Sequence, residues 1–570
     1  MINLKINNRE YNFDSKISIL DAVKKANIKI PTLCYNEKLA PYGSCRLCSV
    51  EVKGKKNLMP ACVTKIEDGM EIKTHSEKVR RVRKIIMELI IASHGINCNL
   101  NCLNCSRSSS CEIRQVAEEI GIREIRIPPV GNPEPIDNSS FSIIREPQKC
   151  IVCNRCVRKC AEVQNVNILT IANKGPSTHV TTFMDKGMGN VDCTNCGQCI
   201  LECPTGALHE VYQIDSVWNA IEKDDYFTVV QTAPAVRVAI AEEFGEKPGT
   251  IATGQMVEGL KLLGFDKVFD TNFAADLTIM EEGTEFINRV KNNGKLPLMT
   301  SCSPGWIKYL EHNYPEYIDN LSTCKSPQQM FGAIVKSYYA NKINIDPEKI
   351  RVVSIMPCTA KKYESQRAEM KNDVDYVLTT RELAKMFKHA GIDLCNLPKS
   401  KYDNPMGEST GAAVVFGASG GVMEAALRTA YEVITGLELE NIDFNNVRGI
   451  KGIKEATIEI DSKKINVAVA SGLGNAKILL DKIKNGEKEY HFIEFMACPG
   501  GCIGGGGQPI PTDEETLLER MTAIYDIDKS SKYRKSHENP YIKKLYDEFL
   551  IEPNGEKSHD LLHTHYIVRG

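Results

Sequence analysis

Residues 492–509 read FIEFMACPGGCIGGGGQP. An apolar run of strand character breaks into a loop carrying Cys498 and Cys502, with glycines at 500, 501 and 504–507. Glycine permits φ > 0 and close backbone approach; a flexible turn alone does not account for Cys498-x3-Cys502 beside it. Two other segments share this construction, LPLMTSCSPGW at 296–306 and VVSIMPCTAKKYE at 352–364. From about residue 210 onward, apolar strands such as YFTVVQ, IRVVSIM and FIEFMA alternate with helical stretches, an α/β pattern. Ligands bind α/β sheets beyond the strand ends, so the three cysteine loops are expected to converge on one buried site.

The composition narrows the class of molecule. The chain has 570 residues, 42% hydrophobic and 25% charged, which argues for several soluble domains. Lys+Arg total 71 against 73 Asp+Glu, so no global charge draws the chain to nucleic acid or an anionic membrane. No apolar stretch approaches the roughly 18 residues of a membrane span. The opening MINLKINNREYNF lacks a basic segment followed by an apolar one, so a cytoplasmic protein is expected. The anomaly is cysteine: 22 in all, 16 of them within the first 203 residues. In a long chain without an export signal, thiols at intervals of two and three residues are metal ligands before they are disulfides.

Residues 1–78 open with alternating Ile2, Leu4 and Ile6, a turn at Asn-Asn-Arg-Glu, a second strand and the helical run SILDAVKKANI. Then come Cys34, Cys45, Cys48 and Cys62, with Pro41 and Gly43 bending the loop. This spacing suits a [2Fe–2S] cluster of the plant-ferredoxin sort; a four-cysteine zinc site is the alternative. A basic amphipathic helix next leads into His94, Cys98, Cys102, Cys105 and Cys111. That set resembles the His-x3-Cys-x2-Cys-x5-Cys motif of a [4Fe–4S] cluster in complex I's large peripheral subunit, except that Cys98 stands where the motif has histidine; Cys98 is favoured as fourth ligand, with His94 reaching in across an insertion as the alternative. Cys150, Cys153, Cys156 and Cys160 are repeated in spacing by Cys193, Cys196, Cys199 and Cys203, the last followed by Pro204. In this bacterial-ferredoxin run three cysteines hold one cube and the fourth crosses to the other. Cys150, Cys153, Cys156 and Cys203 are therefore expected to hold one cluster, and Cys193, Cys196, Cys199 and Cys160 the second.

At the three catalytic-half loops the chain resembles an [FeFe]-hydrogenase of the multi-cluster clostridial, monomeric and ferredoxin-linked type. The family's loops T-S-C-C-P-x-W, M-P-C-x-x-K-x-x-E and E-x-M-A-C-x-x-G-C-x-x-G-G-G-x-P correspond to Thr300–Trp306, Met356–Glu364 and Glu494–Pro509. The resemblance implies an α+β multidomain chain. It comprises an N-terminal β-grasp [2Fe–2S] ferredoxin-like domain (1–78), a His/Cys-rich [4Fe–4S] domain (79–125) and a 2[4Fe–4S] bacterial-ferredoxin-like domain (126–209). A two-lobed α/β H-cluster catalytic domain (210–510) and a small-subunit-like C-terminal segment (511–570) follow.

The implied cofactors are one [2Fe–2S] cluster, three accessory [4Fe–4S] clusters and an H-cluster. The last is a [4Fe–4S] cube joined to a diiron unit with CO, cyanide and azadithiolate ligands. Carried over residue by residue, Cys358 and Cys498 are cube ligands, Cys502 bridges cube and diiron unit, and Lys361 holds a cyanide. Pro234, Gln328, Met356 and Met496 line the diiron pocket. A proton relay runs through Cys302, Glu282, Ser322 and Glu285, with Arg289 at its entrance. The implied activity is reversible reduction of protons to H2, with ferredoxin or flavodoxin as electron partner and maturation enzymes building the diiron unit.

Two positions depart from the family. Ser303 stands where the fourth cube cysteine is expected, leaving three outcomes open: a serine alkoxide ligand, Cys302 taking the ligand role, or an incomplete cube. The PGW that follows stays in register, which puts Cys302 in the relay slot. Ala235 replaces a frequent serine beside Pro234. An H2 or redox sensor, or a slow and biased hydrogenase, is the alternative that Ser303 favours. Of the remaining candidates, Cys395 and Cys324 read as small core residues, and SGLGNAK (471–477) as a strand-to-helix turn. His559, His563 and His565 could suggest a metal, but read first as packing and hydrogen-bonding residues.

Overall fold

A computed structural model describes residues 1–94, 102, 105, 107–129, 135–370, 372–439, 442–460 and 463–569. The chain forms two compact units, one of residues 1–163, 167–191 and 202–209, the other of 164–166, 192–201 and 210–570.

In the first unit, strands Ile2–Ile6 and Arg9–Phe13 pair antiparallel. They are joined at Asn7 and Asn8, whose φ values of 48° and 70° suit the tight turn that a right-twisted hairpin needs. Helix Ile19–Lys25 starts at Ser18, whose hydroxyl accepts from the Asp21 amide while the Asp21 carboxylate reaches back, a reciprocal cap. Ile19, Leu20, Ala22 and Val23 bury its inner face against Leu4, Ile6, Val50 and Ile72. The sheet is completed by Glu71–Lys73, Ser49–Val52 and Met59–Pro60. Helix Glu77–Ser93 turns Met87 and Ile91 onto a cluster with Leu33, Leu47 and Ile113, leaving much of its basic face outside.

The second unit holds two four-stranded sheets. One runs in the order Lys267–Asp270, Phe227–Thr232, Ile350–Met356 and Tyr376–Thr379, all parallel. In the other, Leu298–Thr300, Phe492–Met496 and Lys463–Ser471 are parallel, and Ile453–Ile460 returns antiparallel at the edge. The inner strands are buried along nearly their whole length, which is why they read as unbroken apolar runs rather than alternating ones. The three cysteine loops leave the carboxyl ends of 298–300, 350–356 and 492–496, so both sheets contribute to one site. Trp306 is fully buried and stacks on Phe495 with centroids 3.8 Å apart, fastening the first loop to the third. Residues 471–473 do form a strand-to-helix turn, with Gly472 at φ 87°.

The C-terminal segment belongs to this unit's core. Leu517, Met521 and Ile524 pack with Ala235, Val414 and Ile503. Ile542, Leu545, Leu550 and Leu562 join the cluster around the first sheet. Among the described residues no helix is long and apolar enough to cross a membrane.

Candidate active site

The loops border a partly open pocket with about 460 Å³ of non-atom space, some of it open to solvent. Its wall is mainly apolar, with Ala233, Pro234, Ala275, Met356 and Phe416, and carries Cys302, Cys358, Cys502, Gln328 and Lys361 as chemical groups. Cys302 Sγ lies 4.0 Å from Met496 Sδ. Cys498 is buried behind this wall, 4.0 Å from the Cys196 carbonyl, so the segment carrying Cys193, Cys196 and Cys199 abuts the cysteine loops within this unit.

Glycine makes that packing possible. A Cβ at Gly505 would sit 2.1 Å from the Pro357 carbonyl oxygen, and one at Gly506 would sit 2.4 Å from that of Cys196. Only Gly500 and Gly501 of this loop have positive φ, 79° and 91°. Of the two uses that glycine permits, those at 504–507 serve close approach alone. Arg381, paired with Glu210, donates to the Gly506 and Gln508 carbonyls and holds the loop down.

The acidic letters of the loops have structural partners that spacing did not reveal. Lys361 Nζ pairs with Glu364 Oε2 at 2.9 Å, both side chains being almost wholly buried. Glu364 also accepts from Ser326 and Gln328. Glu494 accepts from the Gly420 and Met423 amides at 2.7 Å each, seating its carboxylate on the N-terminus of helix Gly421–Thr435.

Burial sets the electrostatics. It pushes the Cys358 thiol up to about 11 and that of Cys498 well above its ordinary value. A hydrogen bond with Cys502 holds the Cys302 thiol below its ordinary value, helped by the Lys361 ammonium. Cys502 is pushed up by the same bond and by burial.

Thr300, two residues before Cys302, heads a line of hydrogen-bonded groups. Thr300 donates to Glu282 Oε2 at 2.7 Å. Burial raises the Glu282 carboxyl to about 7, the Thr300 and Ser322 hydrogen bonds opposing and nearby Glu285 and Glu494 adding. Ser322 donates to Glu285 Oε2 at 3.2 Å, and Arg289 donates to Glu285 Oε1 at 2.6 Å. Arg289 also donates to the Asn320 and Leu321 carbonyls, so it stays a fixed positive anchor. Glu282 and Glu285 lie on helix Thr271–Lys291 and both are buried; neither belongs to a solvated face.

Ser303 stands at the N-cap of helix Pro304–Asn313, with no hydrogen bond from its side chain to the helix. Its amide donates to Ser301 Oγ, which itself donates to the Phe495 carbonyl. Cys302, not Ser303, lines the cavity.

The donor set fits the H-cluster that the family implies. The half-buried thiols of Cys302, Cys358 and Cys502, the thioethers of Met356 and Met496 and the Lys361 ammonium meet at a mainly apolar pocket, and soft sulfur donors select iron–sulfur chemistry. The buried Gln328 Oε1 has no partner among the described residues, as expected of an atom facing a missing group. A hydroxyl at position 303 would be a harder donor than these thiols. Ser303→Cys is expected to slow chelator-driven iron loss from this site several-fold; equal rates would show that position 303 does not ligate.

In the first unit the four cysteines at 34, 45, 48 and 62 meet. Cys34 hydrogen-bonds both Cys45 and Cys62, and Cys48 Sγ lies 3.4 Å from Cys62 Sγ. Cys150, Cys153, Cys156 and Cys203 line one cavity of about 440 Å³, bringing the fourth cysteine of the second run beside the first three of the first. Cys160 lies in the first unit, and Cys193, Cys196 and Cys199 in the second. Cys102 and Cys105 lie close enough to raise the thiol pKa of Cys111, although burial is its largest cause. Cys98 lies outside the described residues. His94 is buried, which lowers its pKa to about 4; its ring bonds the Lys149 backbone and leaves Nδ1 without a partner among the described residues. Cys324 is buried as expected, whereas Cys395 is only half-buried.

Cysteine sets of this kind, together with a thiol-lined pocket, define an iron–sulfur redox protein. Family comparison agrees. Residues 1–77 match a 2Fe-2S iron-sulfur cluster binding domain, 83–126 the NADH-ubiquinone oxidoreductase-G iron-sulfur binding region, and 149–207 a 4Fe-4S dicluster domain. Residues 226–506 match the C-terminal domain of the iron only hydrogenase large subunit, and 514–569 match the iron hydrogenase small subunit. The chain is 48% identical to the NADP-reducing hydrogenase subunit HndD of Solidesulfovibrio fructosivorans over 100% of this chain and 99% of that one. It is 41% identical to iron hydrogenase 1 of Clostridium pasteurianum over 98% and 99%. The apo [FeFe]-hydrogenase HydA1 of Chlamydomonas reinhardtii superposes with a TM-score of 0.57 at 47% identity, covering 63% of this chain and all of that one. The chain belongs to the [FeFe]-hydrogenase family: a hydrogenase oxidoreductase with 2Fe-2S and 4Fe-4S domains and an H-cluster hydrogenase domain.

Proposed function

We propose that this chain catalyses 2 H⁺ + 2 e⁻ ⇌ H2 in the cytoplasm, at the cavity walled by Cys302, Cys358, Cys502 and Lys361. The observation that carries this reading is the line of buried groups joined to the Cys302 loop through Thr300, in which Glu282 is poised near neutrality. Cys358, Cys498 and Cys502, with Ser303 at the fourth corner, would hold the cube. Pro234, Gln328, Met356 and Met496 would enclose the diiron unit, and Lys361 would meet a cyanide with a compact buried charge. When bound, the H-cluster supplies the site at which electrons and protons combine.

The chain's own residues govern the proton. Arg289 fixes the outer oxygen of Glu285. Ser322 joins Glu285 to Glu282 by hydrogen bonds on both sides. Glu282 takes up and gives up a proton near pH 7 at little cost, the condition for efficient general acid–base transfer. Cys302, on the loop whose Thr300 bonds Glu282, presents its thiol to the cavity. The apolar wall excludes water and keeps protons to this route.

Electrons reach the cavity through the ferredoxin-like cysteine sets, the Cys193–Cys199 segment being the last because it abuts Cys498. We assign the fourth ligand of the 102/105/111 cluster to His94, on its unpartnered buried Nδ1; a backbone bond on the other ring nitrogen is usual for a metal-binding histidine. Reduced ferredoxin or flavodoxin is the proposed donor. The full-length likeness to a subunit named for NADP reduction supports a second reading, in which NADPH serves through other subunits. Chain matured with the diiron unit separates the two. On the first reading it evolves H2 from reduced ferredoxin by itself; on the second it stays inactive until partner subunits are added.

A further inference from the structure

Beside the proton line lies a cluster that the reaction above does not use. A Glu285 carboxylate oxygen, Cys324 Sγ and a His563 ring nitrogen all lie within 4.8 Å of one another, and all three residues are buried. Cys324 Sγ is 4.0 Å from His563 Nδ1. The backbone fixes this meeting: Cys324 and His563 form an antiparallel bridge. It is flanked by bonds from the Lys325 amide to the Leu562 carbonyl and from the Thr564 amide to the Thr323 carbonyl, each 2.8 Å.

We propose that Cys324, His563 and Glu285 form a zinc-binding site whose occupation closes the proton path. A thiolate, an imidazole and a carboxylate are the donors zinc takes, and they are too soft a set for magnesium or calcium. Zn–S and Zn–N bond lengths imply ligand separations of about 3.6 Å around a tetrahedral ion, close to the observed 4.0 Å. The imidazole is already oriented for the task. Its Nε2 lies 3.1 Å from Glu281 Oε2 and its Nδ1 lies 2.8 Å from Thr323 Oγ1, the contact that zinc displaces on binding.

Glu281 is fully buried and held by Tyr546 at 2.5 Å, Ser558 at 2.7 Å and the Asn554 amide at 2.7 Å. A carboxylate fixing the far nitrogen of a histidine is a recurring support for bound zinc. Exposed His559 stacks on His563 with centroids 4.7 Å apart, and exposed His565 lies 6.3 Å from His559, offering a route in from solvent. Binding exchanges the Cys324 thiol proton for the metal and releases it to solvent. It also occupies the oxygen of Glu285 to which Ser322 and Thr323 now donate.

Occupation of the site stands by itself; the closing of the path rests on the proposed place of Glu285 in proton transfer. The test uses full-length, cluster-loaded protein exposed to zinc sulfate, passed over a chelating resin, and examined for zinc content and by zinc K-edge absorption. Wild type is expected to keep one zinc more than Cys324→Ala and His563→Gln at equal iron content, with one sulfur and otherwise nitrogen and oxygen ligands. Hydrogen production in wild type is expected to fall at least tenfold with zinc and recover with chelator, while Cys324→Ala is insensitive. Equal zinc in all three proteins, or an all-sulfur shell, overturns the site. A bound zinc with the expected shell and no inhibition upholds the site and overturns Glu285 as part of the path.

Discussion

Glu282→Gln is expected to lower hydrogen turnover by about 10²- to 10⁴-fold, the usual span for losing a general acid–base group. The same change leaves the fold at least as stable at neutral pH. Burial raises this carboxyl to about 7, against an ordinary value of 4.5. A carboxyl whose pKa is raised on folding favours the native state while protonated. That contribution is full below pH 4.5 and is lost as pH climbs through about 7. Glutamine keeps the hydrogen-bonding shape and has no proton to lose. Relative to wild type the variant gains roughly 3 kcal/mol of stability between pH 4.5 and pH 8. Denaturant unfolding at pH 5 and pH 8, alongside hydrogen evolution from a chemical reductant, measures both. A variant that turns over normally would remove Glu282 from the path. One whose stability falls with pH as wild type does would show the carboxyl already ionised.

Lys361→Met is expected to act twice. It strands Glu364 in a buried site, and breaking a buried pair from one side costs about 3–5 kcal/mol. It also removes the cation facing the cavity, so the diiron unit is not retained. Lys361→Met combined with Glu364→Gln separates the effects: most of the stability returns, since no unpaired charge is left, but the CO and cyanide infrared bands do not. Normal bands in the double variant would make Lys361 a structural residue only.

Much of this was legible in sequence because it is local. The three cysteine loops follow strand-like runs, and each strand is a buried one. The Asn7–Asn8 turn and the Ser18 cap are read from neighbouring residues. Fixed thiol spacing also carries a long-range consequence: the crossing rule places Cys203 with Cys150, Cys153 and Cys156, and these four line one cavity. Contacts between distant segments carry no such signal. Without the family resemblance, Glu282 and Glu285 look like a solvated helix face, because their burial depends on helices and strands far along the chain.

The glutamates of the second and third loops appear in the motif without a reason; the structure supplies Lys361 for Glu364 and a helix N-terminus for Glu494. Arg381, which ties down the glycine loop, left no trace in its own neighbourhood. A glycine run permits either positive φ or close approach, and which of them applies is not local: at Gly505 and Gly506 the constraint is steric and comes from Pro357 and Cys196. The cluster of Cys324 with His563 joins residues 239 positions apart, and the spacing of His559, His563 and His565 does not point to Cys324.

The most direct test of the central claim is infrared spectroscopy of protein produced anaerobically with the family's maturation enzymes, recorded under argon and then under H2. Terminal CO and cyanide bands that shift under H2 are the expected result and show a working diiron site beside Ser303. Absence of those bands, with the accessory iron–sulfur clusters in place, would contradict it and leave an electron-transfer or sensing protein on a hydrogenase fold.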